Sequence, residues 1–224
     1  MRMTWIGQAG LLFKSSVLTV LIDPYLSDSV GAIDPAKKRR IPVDPSLWQE
    51  QPDVLVFTHD HLDHFDPETA EHWLRGHRPM TVLAPCSVWQ KVRKYGGAHN
   101  YVLFAPGTQW SQGDMRFSAV PAAHSDPEAI GVLLNAENKL HYVTGDTLYN
   151  TQVLAALPSG IDTVFLPVNG VGNNMNMTDA ARFAKDCGAK TAVPLHIGLF
   201  DDLNAEAFPF ASKRILHIYR EEVL

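Results

Sequence analysis

Cysteine is almost absent from this chain. Cys86 and Cys187 stand far apart and outside any C-x-x-C spacing, which excludes a disulfide framework and a thiolate metal site. Long apolar runs are missing as well. No stretch approaches about eighteen residues, and the opening Met1-Arg2-Met3-Thr4-Trp5-Ile6-Gly7 has no apolar core followed by a small-residue cleavage site. The sequence therefore predicts a soluble, cytoplasmic protein with no membrane association. Positive charge is in the minority, with 19 Lys and Arg against 24 Asp and Glu and a formal net charge of -5. Such a chain offers no overall attraction to a nucleic-acid backbone. Its one basic run, Lys37-Lys38-Arg39-Arg40, reads either as a solvated loop or as a landing site for an anionic group of a substrate.

What is present is enough for one domain over residues 1–224, since 46% of the chain is apolar. Residues 3–6, 11–14 and 17–22 read as short strands punctuated by Gly7, Gly10 and Ser15-Ser16. Residues 28–52 turn polar and proline-rich, an extended surface excursion of the kind that borders binding sites. Strand and helix then alternate: an apolar run at 53–57, a helix at 67–74 capped by Asp66 with Pro67 at its first position, a strand at 81–84, and a helix at 87–95 capped by Ser87 and closed by Gly96-Gly97. Strands follow at 101–104, 115–122, 130–134 and 140–144, with Glu137-Asn138 as a hairpin turn. The last part alternates once more, with helices at 152–157 and at 179–187 (capped by Thr178) and strands at 163–166, 191–195 and 215–219. Two halves of this kind predict two sheets packed face to face with helices outside, a four-layer αββα sandwich.

Against this background one segment stands out. Thr58-His59-Asp60-His61-Leu62-Asp63-His64 places three of the chain's ten histidines, and the Asp63 carboxylate, directly after the apolar run Asp53-Val54-Leu55-Val56-Phe57. Neutral imidazole nitrogen and anionic carboxylate oxygen both suit divalent transition ions. Three further residues follow predicted strands: His124, Asp146 (after Gly145) and His196. Strand ends on one edge of a sheet converge and hold ligands rigidly. The remaining histidines, His72, His77, His99, His141 and His217, do not fit the pattern and read as surface or satisfied core residues.

The order H-x-H-x-D-H, H, G-D, H resembles the metallo-β-lactamase superfamily over nearly the whole chain, and the stretch Ile22-Asp23-Pro24-Tyr25 fits it as well. The resemblance implies that His59, His61 and His124 hold one metal, that Asp63, His64 and His196 hold a second, and that Asp146 bridges them. All seven thereby become catalytic candidates. A hydroxide between two divalent ions, zinc or manganese before iron, would attack the substrate, with Asp63 also orienting it. Asp23 would hydrogen-bond a ligand histidine and fix its tautomer. Oxygen-reducing relatives carry Glu at the place of His61, and antibiotic-hydrolysing ones carry Cys at the place of Asp146, so neither chemistry is expected. Transfer-RNA-processing relatives add a basic projecting arm that is not found here. The branch most similar is the ascorbate-6-phosphate lactonase-like one, on Thr58 to Thr69 (T-H-D-H-L-D-H-F-D-P-E-T), Gly145-Asp146-Thr147, Pro167-Val168-Asn169-Gly170 and Pro194-Leu195-His196. The lactonase itself is longer.

The expected function is a metal-dependent hydrolase of a small anionic ester, lactone or phosphoester, lactonase-like in the first instance. A phosphodiesterase or nuclease of the same fold and a non-catalytic metal-binding protein are the alternatives. Candidate substrate contacts are Asn169, Asn173, Asn174 and Asn176, interleaved with Gly170 and Gly172 ahead of a helix, and Tyr149 as a hydroxyl donor. Association into a homo-oligomer is left open.

Overall fold

Alternation along the first strands decides what each face meets. Leu11 and Phe13 lie in the core between the two sheets and Leu12 in a separate outer cluster; Val20 and Ile22 repeat this against Leu21, and Val54 and Val56 against Leu55 and Phe57. These side chains are buried on both faces, so the strands read as continuous apolar runs rather than as alternating ones. The protein is described by a computed structural model that covers residues 1–76 and 78–224; His77 lies outside the described residues.

The first sheet contains β1 (Arg2–Gly7), β2 (Gly10–Lys14), β3 (Thr19–Ile22), β4 (Val54–Val56), β5 (Thr81–Ala84) and β6 (Asn100–Leu103). The second contains β7 (Gln109–Gln112), β8 (Met115–Pro121), β9 (Ile130–Ala136), β10 (Lys139–Val143), β11 (Thr163–Pro167) and β12 (Thr191–Leu195), and β13 (Glu221–Val223) returns to the first sheet beside β1. The spatial orders are β13-β1-β2-β3-β4-β5-β6 and β12-β11-β10-β9-β8-β7. In each sheet antiparallel pairing gives way to parallel pairing, at β3–β4 and at β10–β11. Phe13 of one sheet meets Phe165 of the other edge to face, with ring centroids 5.8 Å apart.

Helices α2 (Pro67–Leu74) and α3 (Cys86–Val92) cover the outer face of the first sheet, where Ala70, Trp73, Leu74, Val88 and Val92 join the outer cluster. The short α4 (Thr151–Ala155) and α5 (Met177–Asp186) belong to the second half, α5 burying Ala180, Phe183 and Ala184. This is the αββα sandwich. No helix among the described residues is long and apolar enough to cross a membrane.

Several expectations are corrected. Residues 215–219 form no strand; the chain turns at Tyr219, where φ is 64°, and only then pairs with β1 through β13. Strand β7, whose polar sequence gave no apolar signal, exists because β8 supplies its pairing partner. Ser87 caps nothing: α3 begins one residue earlier, and the Ser87 hydroxyl donates to Asp126 instead. Asn176, not Thr178, caps α5 by accepting from the Thr178 and Asp179 amides. The excursion at 28–52 is also less extended than expected, holding a short helix α1 (Ser29–Ile33) and two single 3-10 turns at Pro35–Lys37 and Pro45–Gln49. By contrast, Asp66 caps α2 and Pro67 opens it as expected, and Glu137 and Asn138 both take positive φ in the β9–β10 turn.

One glycine joins the two sheets at the site edge. Gly145 sits at φ +60°, and a Cβ there would lie 2.8 Å from the Thr58 Cβ and 2.9 Å from the Ile130 carbonyl. Gly145→Ala is therefore expected to cost about 2–4 kcal/mol in urea unfolding. Gly160→Ala, at φ +86° with open space around it, should cost only the backbone term of about 1–2 kcal/mol.

Candidate metal centre

Six turns open on one edge of the sandwich. His59, His61, Asp63 and His64 follow β4, Asp23 follows β3, His124 follows β8, Asp146 follows β10 and His196 follows β12, while the β1–β2 turn adds Gln8. Three of these residues are held in left-handed backbone that non-glycine residues avoid: Gln8 at φ 50°, Asp23 at 46° and His196 at 62°.

The imidazoles of His59, His61 and His124 form a triangle with every pair of ring centroids 4.6 Å apart, and His124 Nε2 lies 3.0 Å from His61 Nδ1. Ligand-type atoms of these three and of Asp146 all lie within 4.8 Å of one another, as do those of Asp63, His64 and His196. Asp146 stands between the groups, with Oδ1 3.2 Å from His64 Nε2 and Oδ2 3.3 Å from His196 Nε2. A third grouping, Asp23 with His59 and His64, uses the outer side of the same rings.

Those outer contacts aim the rings. Asp23 is fully buried and accepts from the Thr58 amide at 2.8 Å, from the Thr58 hydroxyl, and from His64 Nδ1 at 2.8 Å. The donated Nδ1 proton leaves His64 Nε2 turned toward Asp146. Thr58 Oγ1 also lies 3.0 Å from His59 Nδ1. His59 Nε2, His64 Nε2 and Asp146 Oδ1 are all buried and make no hydrogen bond, the last two facing each other at 3.2 Å without hydrogen-bond geometry. Unpaired buried nitrogen and oxygen pointing into one space is costly unless something fills that space. The mixed imidazole and carboxylate donors suit a divalent cation, so the residues present fit one.

Charge at the site divides in the same way. Burial, reinforced by His64, holds His59 well below the usual histidine range, and burial also lowers His124, so both rings offer neutral nitrogen. Burial opposes protonation of His64 too, but the Asp146 and Asp23 carboxylates outweigh it and raise that ring well above its ordinary value. His196 is likewise pushed up to about 10 by Asp146 and Asp63 against burial. Asp63 and Asp146 are lowered, burial being overcome by the same imidazoles, and stay anionic. A cation and a protonated imidazole are thus alternatives for the same carboxylates, which couples ligation to proton release.

The asparagines divide unexpectedly. Asn174 is buried and donates to Asp146 Oδ2 at 2.9 Å, and Asn169 Nδ2 lies 2.9 Å from His196 Nδ1, so both steady the candidate ligands while lining the cleft. Asn173 meets His124 only through its backbone carbonyl, 3.3 Å from Nδ1. Asn176 is spent on the α5 cap, and the Tyr149 hydroxyl donates to Asp186 at 2.7 Å beneath Arg182; neither lines the cleft. Of the remaining histidines, His72 lies at the Trp48 carbonyl, His99 at the Met80 amide and the Leu74 carbonyl, and His217 is exposed. His141 departs from expectation, since its buried Nδ1 has no partner and burial lowers the ring to about 4.

Gln8 was not foreseen. Its side chain donates to Asp63 Oδ2 at 2.9 Å, and its carbonyl accepts from the His196 amide at 3.0 Å and the Trp5 indole at 2.9 Å. The only sequence signal was a polar residue set between Gly7 and Gly10, which reads as turn punctuation. Asp126 also escaped notice; it accepts from the Asp60 amide at 3.0 Å and the Ser87 hydroxyl at 2.7 Å and so braces the histidine loop.

A family model described as "Beta-lactamase superfamily domain" matches residues 19–197, which include all seven ligand-type residues. A UPF0173 metal-dependent hydrolase of Bacillus mycoides (strain KBAB4) is 26% identical over 235 residues, covering 95% of this chain and 92% of that protein. Relatives of that description do not single out the lactonase-like branch. Isothiocyanate hydrolase from Delia radicum gut bacteria superposes with a TM-score of 0.76 at 20% identity, covering 100% of this chain and 99% of that one. The metallo-beta-lactamase fold protein YhfI from Bacillus subtilis gives 0.73 at 17%, with 99% and 98% covered. At these identities the two structures establish the fold.

Asp23→Asn keeps the shape of the side chain but removes the charge that orients His64. It should weaken zinc or manganese binding about 10–100-fold, measured by competition with a chromophoric chelator, while urea unfolding still reports a cooperative fold.

Proposed function

The chain belongs to the metallo-β-lactamase superfamily, and on that footing we propose that it is a metal-dependent hydrolase of a small ester, lactone or phosphoester, lactonase-like in its reaction. The observation that carries this reading is the set of buried atoms without hydrogen bonds, His59 Nε2, His64 Nε2 and Asp146 Oδ1, in a cluster whose members His61, Asp63, Asp146 and His196 line a cleft of about 500 Å³. A sequestered structural ion would have no use for such access.

In this reading His59, His61 and His124 would hold one divalent ion and Asp63, His64 and His196 a second, with Asp146 within reach of both groups. Bound divalent metal supplies water activated at neutral pH and polarises the oxygen of the scissile group. The chain's own residues provide orientation. Asp63, pinned by Gln8, presents its carboxylate at the cleft floor, where it orients the attacking water. Asn174 keeps Asp146 from rotating toward solvent, and Asp23 keeps the His64 ring in one tautomer. No serine or cysteine nucleophile is needed; Cys187 is buried and pushed up to about 11 by burial, far from a reactive thiolate. Imidazole and carboxylate donors accept zinc, manganese or iron.

Metal analysis and a turnover screen over p-nitrophenyl esters, lactones and bis(p-nitrophenyl) phosphate test the reading. His61→Ala and Asp146→Ala should each lower bound metal and cut kcat/KM by about a thousandfold or more. Full turnover by a metal-depleted His61→Ala protein would overturn it. Stoichiometric metal with no turnover of any class would favour a binding protein.

A further inference from the structure

The walls of the cleft differ in chemistry from its floor. Val30 and Ile33 of α1, Val171 in the loop after β11, Leu62 and Phe200 supply its apolar lining. Ile33 is 77% exposed and Val171 61% exposed, and both line the cleft that His61 and His196 also line. An apolar surface left open at the mouth of a reaction cleft gains stability only when apolar matter covers it.

At the rim of this opening lysine charge is matched by carboxylate charge. Among the described residues Lys37 is the one lysine or arginine in the lining, and its ammonium lies 3.5 Å from Asp34, which lines the cleft too. The remaining acid of the rim, Asp201, accepts from the Gly198 amide at 2.9 Å and the Leu203 amide at 3.0 Å. The two arginines of the basic run are engaged elsewhere. Arg39 donates to the Tyr25 and Ser27 carbonyls at 2.7 and 3.2 Å, and Arg40 pairs with Asp202. These arginines hold the wall in place. Asp28 accepts from the Arg39 amide at 2.8 Å, Ser29 donates to Asp66 at 3.1 Å, the Val30 amide donates to the Tyr25 hydroxyl at 3.2 Å, and Tyr25 packs on Phe200 with ring centroids 5.8 Å apart. The apolar wall is therefore built in advance of binding, which reduces the ordering cost on association.

Resting on the hydrolase reading of the same site, we propose that the substrate is an uncharged ester or lactone carrying a hydrocarbon substituent, seated between Ile33 and Val171 with its carbonyl over Asp63 and Asp146. Water adds to the acyl carbon, the acyl carbon–oxygen bond breaks, and the proton passes to the departing alkoxide, giving an acid and an alcohol (one hydroxy acid from a lactone). A phosphate monoester or diester would meet the paired Lys37 and the carboxylates of the rim, and would leave the apolar wall uncovered.

The test uses the full chain loaded with zinc or manganese, a series of p-nitrophenyl esters from acetate to octanoate, γ-lactones with alkyl tails of the same lengths, and bis(p-nitrophenyl) phosphate. We expect kcat/KM to rise about threefold per methylene over the first several carbons and to exceed that for the phosphodiester. Ile33→Ser and Val171→Ser, both at exposed positions, should each lower the hexanoate-to-acetate ratio of kcat/KM by about fivefold to tenfold. Binding of the matching alkyl γ-lactams, which resist hydrolysis, is read in parallel by calorimetry and should tighten with tail length and weaken in both variants. Turnover without dependence on tail length, or with the phosphodiester preferred, would overturn the substrate class and leave the hydrolase reading standing. Tail-dependent lactam binding with no turnover would keep the pocket chemistry and remove the hydrolase reading.

Discussion

A single buried carboxylate ties the working edge of this molecule together. Asp23 leaves the end of β3 in a backbone conformation that disfavours any side chain, and its two oxygens take up the Thr58 amide, the Thr58 hydroxyl and the Nδ1 proton of His64. Through Thr58 it also reaches His59. A buried charge is tolerated only when several donors satisfy it. Those donors are the loop that carries four of the ligand-type residues. The strain at Asp23 is thus held by the parallel pairing of β3 with β4, and in return it fixes which ring nitrogens face the centre.

From this constraint the chemistry of the site separates into two parts. The triangle of His59, His61 and His124 is a face of imidazoles alone, in which burial keeps His59 and His124 below their ordinary range. The facing group of Asp63, Asp146, His64 and His196 is rich in charge of both signs, each imidazole raised by the carboxylates beside it. Asp146 belongs to both and is steadied by Asn174. Gln8 and Asn169 do for Asp63 and His196 what Asp23 does for His64. Residues that touch only other residues therefore set the geometry as firmly as the candidate ligands themselves.

The excursion at 28–52 shows a different division of labour. Arg39 is turned to the Tyr25 and Ser27 carbonyls and Arg40 pairs with Asp202 at the surface, so that its short helix lines the cleft as a fixed wall. Basic residues in sequence proximity to a site need not meet an anion. Here Arg39 serves to hold a loop with little regular structure against the Tyr25 and Ser27 carbonyls.

The sandwich, the helix from Pro67 to Leu74 with its Asp66 cap, the β9–β10 hairpin and the seven ligand-type residues were legible in the sequence, because apolar runs, capping residues and clustered donors are local signals. Strand β7 was not legible, since its pairing depends on β8 rather than on its own composition, and residues 215–219 misled because an apolar run can cover a core without pairing. The roles of the polar residues were least accessible. Asn169, Asn174 and Asn176 share one short segment and one amide chemistry, yet two approach the centre and the third caps a helix. Gln8 offered no pattern at all, although it touches both Asp63 and His196. The sequence by itself determined which donors exist and which strand each one follows. Only the tertiary structure decided which atoms face one another and which wall stands over them, because hydrogen bonding and steric contact act across space between segments the chain keeps far apart.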